Sequence, residues 1–252
     1  MKRLLGVVLL TALGLNTSGT ARGADEKDAT AVLDTAIRAL GGAEKLGGVK
    51  AATWKTKGTV TIGGSDNAFD MITTVQGLDN YRSEFEAEFG GNSVKGVTVL
   101  NGDKGWRKFG DMGDELDKDA LANEKRNVYL QVVPATLLPL KGKGFKVEAA
   151  GTEKVDGKPA TVLKVTGPDG KDFKLFFDQE SGLPVKQVAK VIGFMGDEFT
   201  QETTFSGYKE FNGVKRATKI QSKRDGEKFI EQEVRDFKVV EKVDPKTFSE
   251  PK

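Results

Sequence analysis

From Trp54 to Val240 the apolar side chains recur mostly at every second position, and glycine-containing turns break the runs at short intervals. A period of two puts one face of a segment against a core and the other in water, so most of this chain is antiparallel sheet. In residues 54–62, Trp54, Val60 and Ile62 share one face, while Lys55, Lys57, Thr59 and Thr61 take the other. Phe69, Met71 and Val75 align in the next run; in the third, Tyr81, Phe85, Ala87 and Phe89 alternate with Arg82, Glu84, Glu86 and Glu88. Turns fall at residues 63–67 and 77–80, and two shorter strands, residues 94–100 and 104–109, meet at Asn101-Gly102.

Two segments leave this rhythm. Val32, Leu33, Ala36, Ile37, Leu40 and Ala43 recur at three- and four-residue spacing, which predicts an amphipathic helix over residues 28–46, capped by Asp25 or Asp28 and ended by Gly41-Gly42 or Gly47-Gly48. Leu116, Ala120, Val128 and Val132 predict a helical insert within residues 114–140, stopped at Pro134 and followed by an apolar knot over residues 135–140. After Lys141-Gly142-Lys143-Gly144 the strand pattern resumes over residues 145–155, 160–166, 173–178, 184–192, 199–208, 214–223 and 228–240. Asp156-Gly157, Asp169-Gly170, Ser181-Gly182, Asn212-Gly213 and Asp225-Gly226 separate them, which predicts a meander with each strand beside the next. With no long Gly/Ser- or Pro-rich linker, residues 24–252 read as one domain of mainly antiparallel β structure with helices (α+β), about eleven strands in all.

The start of the chain is of another kind. Met1-Lys2-Arg3 precedes twelve residues, Leu4 to Leu15, that are nearly all apolar. A mature membrane span needs about 20, so residues 1–23 read as a secretory signal peptide, cleaved after Gly23 or after Ala21, and the product as an exported, periplasmic protein. The chain holds no cysteine, which excludes a disulfide framework and the lipid anchor of a bacterial lipoprotein. It holds no histidine, which excludes Ser-His-Asp and Cys-His nucleophiles and His-based metal sites. Without Lys2, Arg3 and Arg22 the 39 basic residues fall to 36 against 37 acidic ones, so no basic excess points to nucleic acid.

The apolar face of the predicted sheet is rich in aromatics: Trp54, Phe69, Phe85, Phe173, Phe177, Phe199 and Phe205. The two helical segments pack there, either filling a continuous core or enclosing a hydrophobic cavity, and the pattern leaves both arrangements open. Glu84, Glu86 and Glu88 read as a solvated face rather than a calcium or acid/base site. Asp111, Asp114, Asp117 and Asp119 lack EF-hand spacing, and neither Gly102-Asp103-Lys104-Gly105 nor Lys141-Gly142-Lys143-Gly144 opens a helix after a strand as a phosphate loop must. Lys104, Arg107 and Lys108 around Trp106 do not outweigh the balanced charge. No catalytic constellation, metal site or cofactor motif stands out, so the expectation is a non-enzymatic binding or structural role.

Three stretches carry a resemblance. They are Val99-Leu100-Asn101-Gly102-Asp103-Lys104-Gly105-Trp106, the hairpin Phe176-Phe177-Asp178-Gln179-Glu180-Ser181-Gly182-Leu183-Pro184-Val185, and residues 205–215 from Phe205 through Tyr208 and Asn212-Gly213 to Lys215. With the order of elements, they resemble the LolA/LolB-like lipoprotein-localisation superfamily across the mature chain. The resemblance implies an unclosed β half-barrel wrapped over an N-terminal helix and a helical lid. It implies a concave face that holds lipid or lipoprotein acyl chains, transferred here onto Trp54, Phe69, Phe85, Phe173, Phe177, Phe199 and Phe205, with Leu137, Leu138 and Leu140 as lid residues. It implies a monomeric carrier of hydrophobic ligands without a stable membrane anchor; the alternative it offers is an envelope regulatory domain that binds a protein partner. The missing cysteine departs from the lipid-anchored receptor of that superfamily.

Overall fold

The computed structural model describes residues 21–193 and 196–252, with side chains from Asp28 onward. The expected signal peptide lies outside the described residues except for its last three, which open the first helix.

The helix expected over residues 28–46 is two helices, α1 (Ala21–Ala39) and α2 (Ala43–Gly48). They break at Gly41 and Gly42, whose φ values of 126° and 90° are ones that glycine takes without a side-chain clash. Gly41 is also pressed against the chain, since a Cβ there would stand 2.4 Å from the Gly213 carbonyl oxygen. Leu33, Ala36, Ile37 and Leu40 form the buried stripe of α1, as their spacing predicts.

Six strands follow: β1 (Ala51–Ile62), β2 (Ser65–Gln76), β3 (Asn80–Phe89), β4 (Asn92–Asn101), β5 (Lys104–Phe109) and β6 (Met112–Glu115). After α3 (Lys118–Thr136) and a 3-10 turn (Leu138–Lys141) come β7 (Lys146–Val155), β8 (Lys158–Thr166), β9 (Asp172–Asp178), β10 (Pro184–Ile192), β11 (Glu198–Ser206), β12 (Lys209–Phe211), β13 (Val214–Arg216), β14 (Lys219–Arg224) and β15 (Glu227–Val240). A second 3-10 turn (Pro245–Phe248) packs on the outer face of β3 and β4, where Arg82 donates to the Thr247 carbonyl at 3.3 Å.

Thirteen of these strands form one unclosed antiparallel sheet in the order β6-β5-β4-β3-β2-β1-β15-β14-β11-β10-β9-β8-β7. The half-barrel expected from the sequence is thus present, with thirteen strands rather than about eleven. The first strand pairs with the last: Ala51 faces Val240 and Val60 faces Ile230. That pairing puts β6 and β7, adjacent in the chain, at opposite edges of the sheet. The segment between them must cross a whole face, and α3 is that crossing. The expectation of each strand beside the next fails at one place: β12 and β13 form a separate hairpin, and β11 pairs directly with β14. Ala217-Thr218 divides what reads as one strand over residues 214–223, and Thr218 instead bonds back to the Ser206 and Gly207 carbonyls.

Following the register from strand to strand puts Trp54, Phe69, Phe85, Phe173, Phe177, Phe199 and Phe205 on the same, inner face. Glu84, Glu86 and Glu88 are exposed on the outer one. The floor of the sheet beneath the helices is Leu100, Leu163, Val165 and Leu175, all fully buried, each contributing about 1.5–3 kcal/mol relative to exposure.

α3 starts where Asp117 accepts from the Asp119 and Ala120 amides at 3.0 and 2.8 Å. It does not stop at Pro134 but runs through it to Thr136 and ends at Leu137, which sits in the left-handed region at φ 60°. Its middle is fastened by polar bonds rather than apolar contact alone. Arg126, buried, donates to the Lys190 carbonyl (2.9 Å), to Asp169 (3.0 Å) and to the Asp172 carbonyl (3.1 Å), and also meets the Tyr129 hydroxyl. Tyr129 donates to the other Asp169 oxygen at 2.8 Å, and Glu124 pairs with Arg107 at 2.8 Å.

Candidate functional site

The helices fill the middle of the inner face and leave its ends less covered. Where α2, the last turn of α3 and the first 3-10 turn meet the ends of β1 and β2, an apolar cleft of about 460 Å³ remains. Its walls are Leu46 and Val49 from the α2 side, Ala52 and Val75 from the sheet, Leu78 from the turn after β2, Val132 and Ala135 from α3, Leu138 and Pro139 from the 3-10 turn, and Val214 and Phe237 at the back. The volume lies within the range of about 300–1,000 Å³ usual for small-molecule sites. A larger groove of about 680 Å³ runs between α1 and β7, but Lys141, Lys146, Glu148 and Lys164 line it and Lys141 is paired to Asp34 at 2.6 Å. Its charged wall suits water better than an apolar ligand, so the smaller cleft is the candidate site.

The β12–β13 hairpin, which leaves the main sheet, supplies the back of the cleft. Asn212 and Gly213, with φ of 50° and 79°, make its tight turn. The Lys215 amide donates to the Leu40 carbonyl at 2.8 Å, which ties the hairpin to the end of α1. This places Val214 in the core and Arg216 between the cleft and a second recess beneath α3. The recess is bounded by Trp54, Pro134, Ala135, Phe205, Tyr208 and Ile220. The Arg216 guanidinium lies over Phe237 at 4.5 Å and over Trp54 at 5.1 Å from the ring centres. Burial pushes it down to about 10, below the usual arginine range, against a small opposing effect of the Tyr208 phenol.

The ten residues expected to form the site are divided by the structure. Leu138 lines the cleft, Trp54 and Phe205 line the recess beneath α3, and Leu140 lines the groove beside α1. Phe173 and Phe177 are buried core residues; Phe173 packs 5.9 Å from Tyr129. Leu137 is fully buried at the end of α3. Phe69 and Phe85 lie toward the far end of β2 and β3, where Phe85 meets Phe109 edge-on at 5.1 Å. Phe199 packs under Arg224 at 5.1 Å. The core is therefore filled under the middle of α3, and an open cleft remains at one end.

Sequence reasoning missed Val49, Leu78, Val214, Arg216 and Phe237. Phe237 was hidden by a bulge: β1 and β15 slip register between Thr53 and Lys55, and Asp236 takes φ 50°. Counting by twos from Val234 therefore assigns Phe237 to the wrong face. Nothing in the sequence marks Arg216, since a three-residue strand carries too little pattern to read.

The unclosed antiparallel sheet with a crossing helix has counterparts among solved structures. The structure is similar to that of a LolA superfamily protein from Nitrosomonas europaea, with a TM-score of 0.59 and 13% identity over 88% of this chain and 97% of that one. It is similar also to a DUF1329 family protein from Desulfovibrio piger (TM-score 0.55, 13% identity, 88% and 97% covered). A third likeness is to a putative outer membrane lipoprotein-sorting protein domain from Vibrio parahaemolyticus (TM-score 0.52, 10% identity, 86% and 97% covered). No protein-family model matches the sequence, and no curated protein matches it. The fold expected from the sequence is thus present. Among the described residues, no helix is long and apolar enough to cross a membrane.

Proposed function

We propose that this protein binds the acyl chain of a lipid or lipoprotein in the cleft between α2, the end of α3 and the β1–β2 edge, and that it acts as an exported carrier of such ligands. The observation that carries the reading is the cleft itself. It is a concavity of ligand size with a mostly apolar wall, held open between a lid and a sheet. An apolar wall of this extent costs free energy in water and gains it when an apolar chain covers it. The similarity in fold to a lipoprotein-sorting domain supports the reading. The signal-peptide pattern of residues 1–23 supports export, and the absence of cysteine from the sequence supports a carrier without a lipid anchor.

Native mass spectrometry of the protein purified from its own host tests this. A bound mass in the lipid range, displaced by a fluorescent fatty acid, is the expected result. A ligand-free spectrum together with no uptake of the fatty acid overturns it.

A further inference from the structure

An unpaired guanidinium on the wall of an apolar cleft demands an explanation. The Arg216 side chain makes no hydrogen bond and no ion pair to any other described residue. Of the six other arginines with described side chains, four are ion-paired, Arg82 with Glu84, Arg107 with Glu124, Arg126 with Asp169 and Arg235 with Glu233, and the remaining two, Arg38 and Arg224, bond to Thr35 and Gln201. Desolvating an unpaired guanidinium is costly, and stacking on Trp54 and Phe237 offsets only part of that cost. Its cross-strand neighbour is Lys209, and the hairpin's one carboxylate, Glu210, stands opposite Lys215 instead.

The ionisable side chains of the cleft wall are Lys50 and Arg216, and those of the recess beneath α3, apart from the Tyr208 phenol, are Lys215 and Arg216. No carboxylate lines either space. Arg216 borders both, and it keeps part of its surface open to them. Its planar fork of donors matches the two oxygens of a carboxylate or a phosphate.

We infer that Arg216 is an anion anchor: the cleft takes a single-chain amphiphile whose carboxylate or phosphate head pairs with Arg216 while its tail lies along Val49, Leu78, Val132 and Leu138. This rests on the proposed binding of acyl chains and adds the polarity of the ligand and its direction in the cleft. The unpaired guanidinium then receives its partner from the ligand, in an environment where water competes weakly for the bond.

The experiment compares palmitate, palmitoyl lysophosphatidic acid and the uncharged monopalmitoylglycerol by calorimetric titration of the mature chain, with sodium acetate and inorganic phosphate as heads without tails. Both anionic amphiphiles are expected to bind at least tenfold more tightly than the glycerol ester, and acetate and phosphate not to bind measurably. A preference for palmitate alone assigns the carboxylate as the head, and a preference for the lysophosphatidic acid alone assigns the phosphate. Arg216→Gln is expected to weaken both anionic amphiphiles at least tenfold relative to the glycerol ester, which removes the preference; Arg216→Lys is expected to restore part of it. Equal binding of the charged and uncharged ligands to the unaltered protein overturns the anchor while leaving acyl binding intact. No binding of any of the three amphiphiles overturns both.

Discussion

The Gln187 side-chain amide donates to the Leu130 carbonyl at 3.2 Å, the acceptor that Pro134 leaves without its intrahelical partner. Proline has no N–H to give, and in most helices the result is a break or a kink. Here the sheet supplies the missing donor from β10, and α3 continues for two more residues to Thr136. That extension matters because Ala135 and Thr136 are part of the cleft wall. A helix stopped at Pro134 would not carry it.

Gln187→Leu is therefore expected to lower the stability by about 1–3 kcal/mol, the cost of a buried carbonyl left unsatisfied. Pro134→Ala in the same chain restores the backbone donor and is expected to recover most of the loss. Denaturant unfolding of the two single variants and the double variant checks the coupling; additive effects would mean the two residues act independently.

Arg126 holds α3 to β9 and β10 through Lys190, Asp169 and Asp172. Arg126→Met takes the donor from the Lys190 and Asp172 carbonyls and leaves Asp169 with only the Tyr129 hydroxyl and the Lys171 amide, so it is expected to cost about 3–5 kcal/mol. Asp169→Asn keeps an oxygen for Tyr129 and is expected to cost less. The same unfolding measurement reads both.

The chain has three tyrosines, and all three, Tyr81, Tyr129 and Tyr208, are held above the usual phenol range. Burial is the main cause for each, with the Asp169 carboxylate adding to it at Tyr129. The folded state holds the phenol protons more tightly than the unfolded state. Stability from these groups is thus complete below about pH 10 and falls as the pH rises above it. Phenolate absorbance is expected to stay flat through pH 10 and then to rise together with loss of the β circular-dichroism signal. A titration of any one tyrosine near pH 10 with the fold intact would contradict the packing described.

At the acid end the sign reverses. Lys228 and Thr61 hold Asp66 below the usual carboxylate range, Thr166 and Lys164 do so for Asp172, and Ser181 does so for Asp178. Their stabilising effect is present above the unfolded carboxylate range and is lost as the pH falls through their lowered values. With no histidine in the chain, no side chain here titrates at its ordinary value between pH 5 and 8. The melting temperature is expected to be level from about pH 5 to pH 8 and to fall below about pH 4.

The two faces of the sheet make a paired prediction. Phe177→Asp buries a charge in the core and is expected to abolish folding. Glu86→Gln, on the outer face beside Lys95 and Ser93, is expected to change stability by less than about 0.5 kcal/mol. Comparable loss from both would mean the faces are assigned in reverse.

The period-two runs made the sheet, its inner and outer faces and most of its turns legible. Asp156-Gly157, Asn212-Gly213 and Asp225-Gly226 each have both residues at positive φ, as a tight hairpin turn requires. What was not legible is non-local. Nothing in β1 or β15 alone says that the two pair, yet that pairing sends α3 across the inner face. The continuation through Pro134 depended on Gln187, 53 residues away in the chain. The aromatic pattern found the inner face but could not tell which of its rings would be covered: Phe173 packs on Tyr129 of α3 and Phe177 is buried in the core, while Trp54 and Phe205 line the recess.

The central claim is that an acyl chain lies in the cleft beneath the end of α3. Crystals of the mature chain soaked with a terminally brominated fatty acid would locate the bromine directly by its anomalous scattering. The account predicts a peak among Leu46, Val49, Val75, Val132 and Leu138, absent in Ala135→Trp, whose indole fills that space. A peak confined to the groove between α1 and β7, or bromine bound equally well by the Ala135→Trp variant, would contradict it.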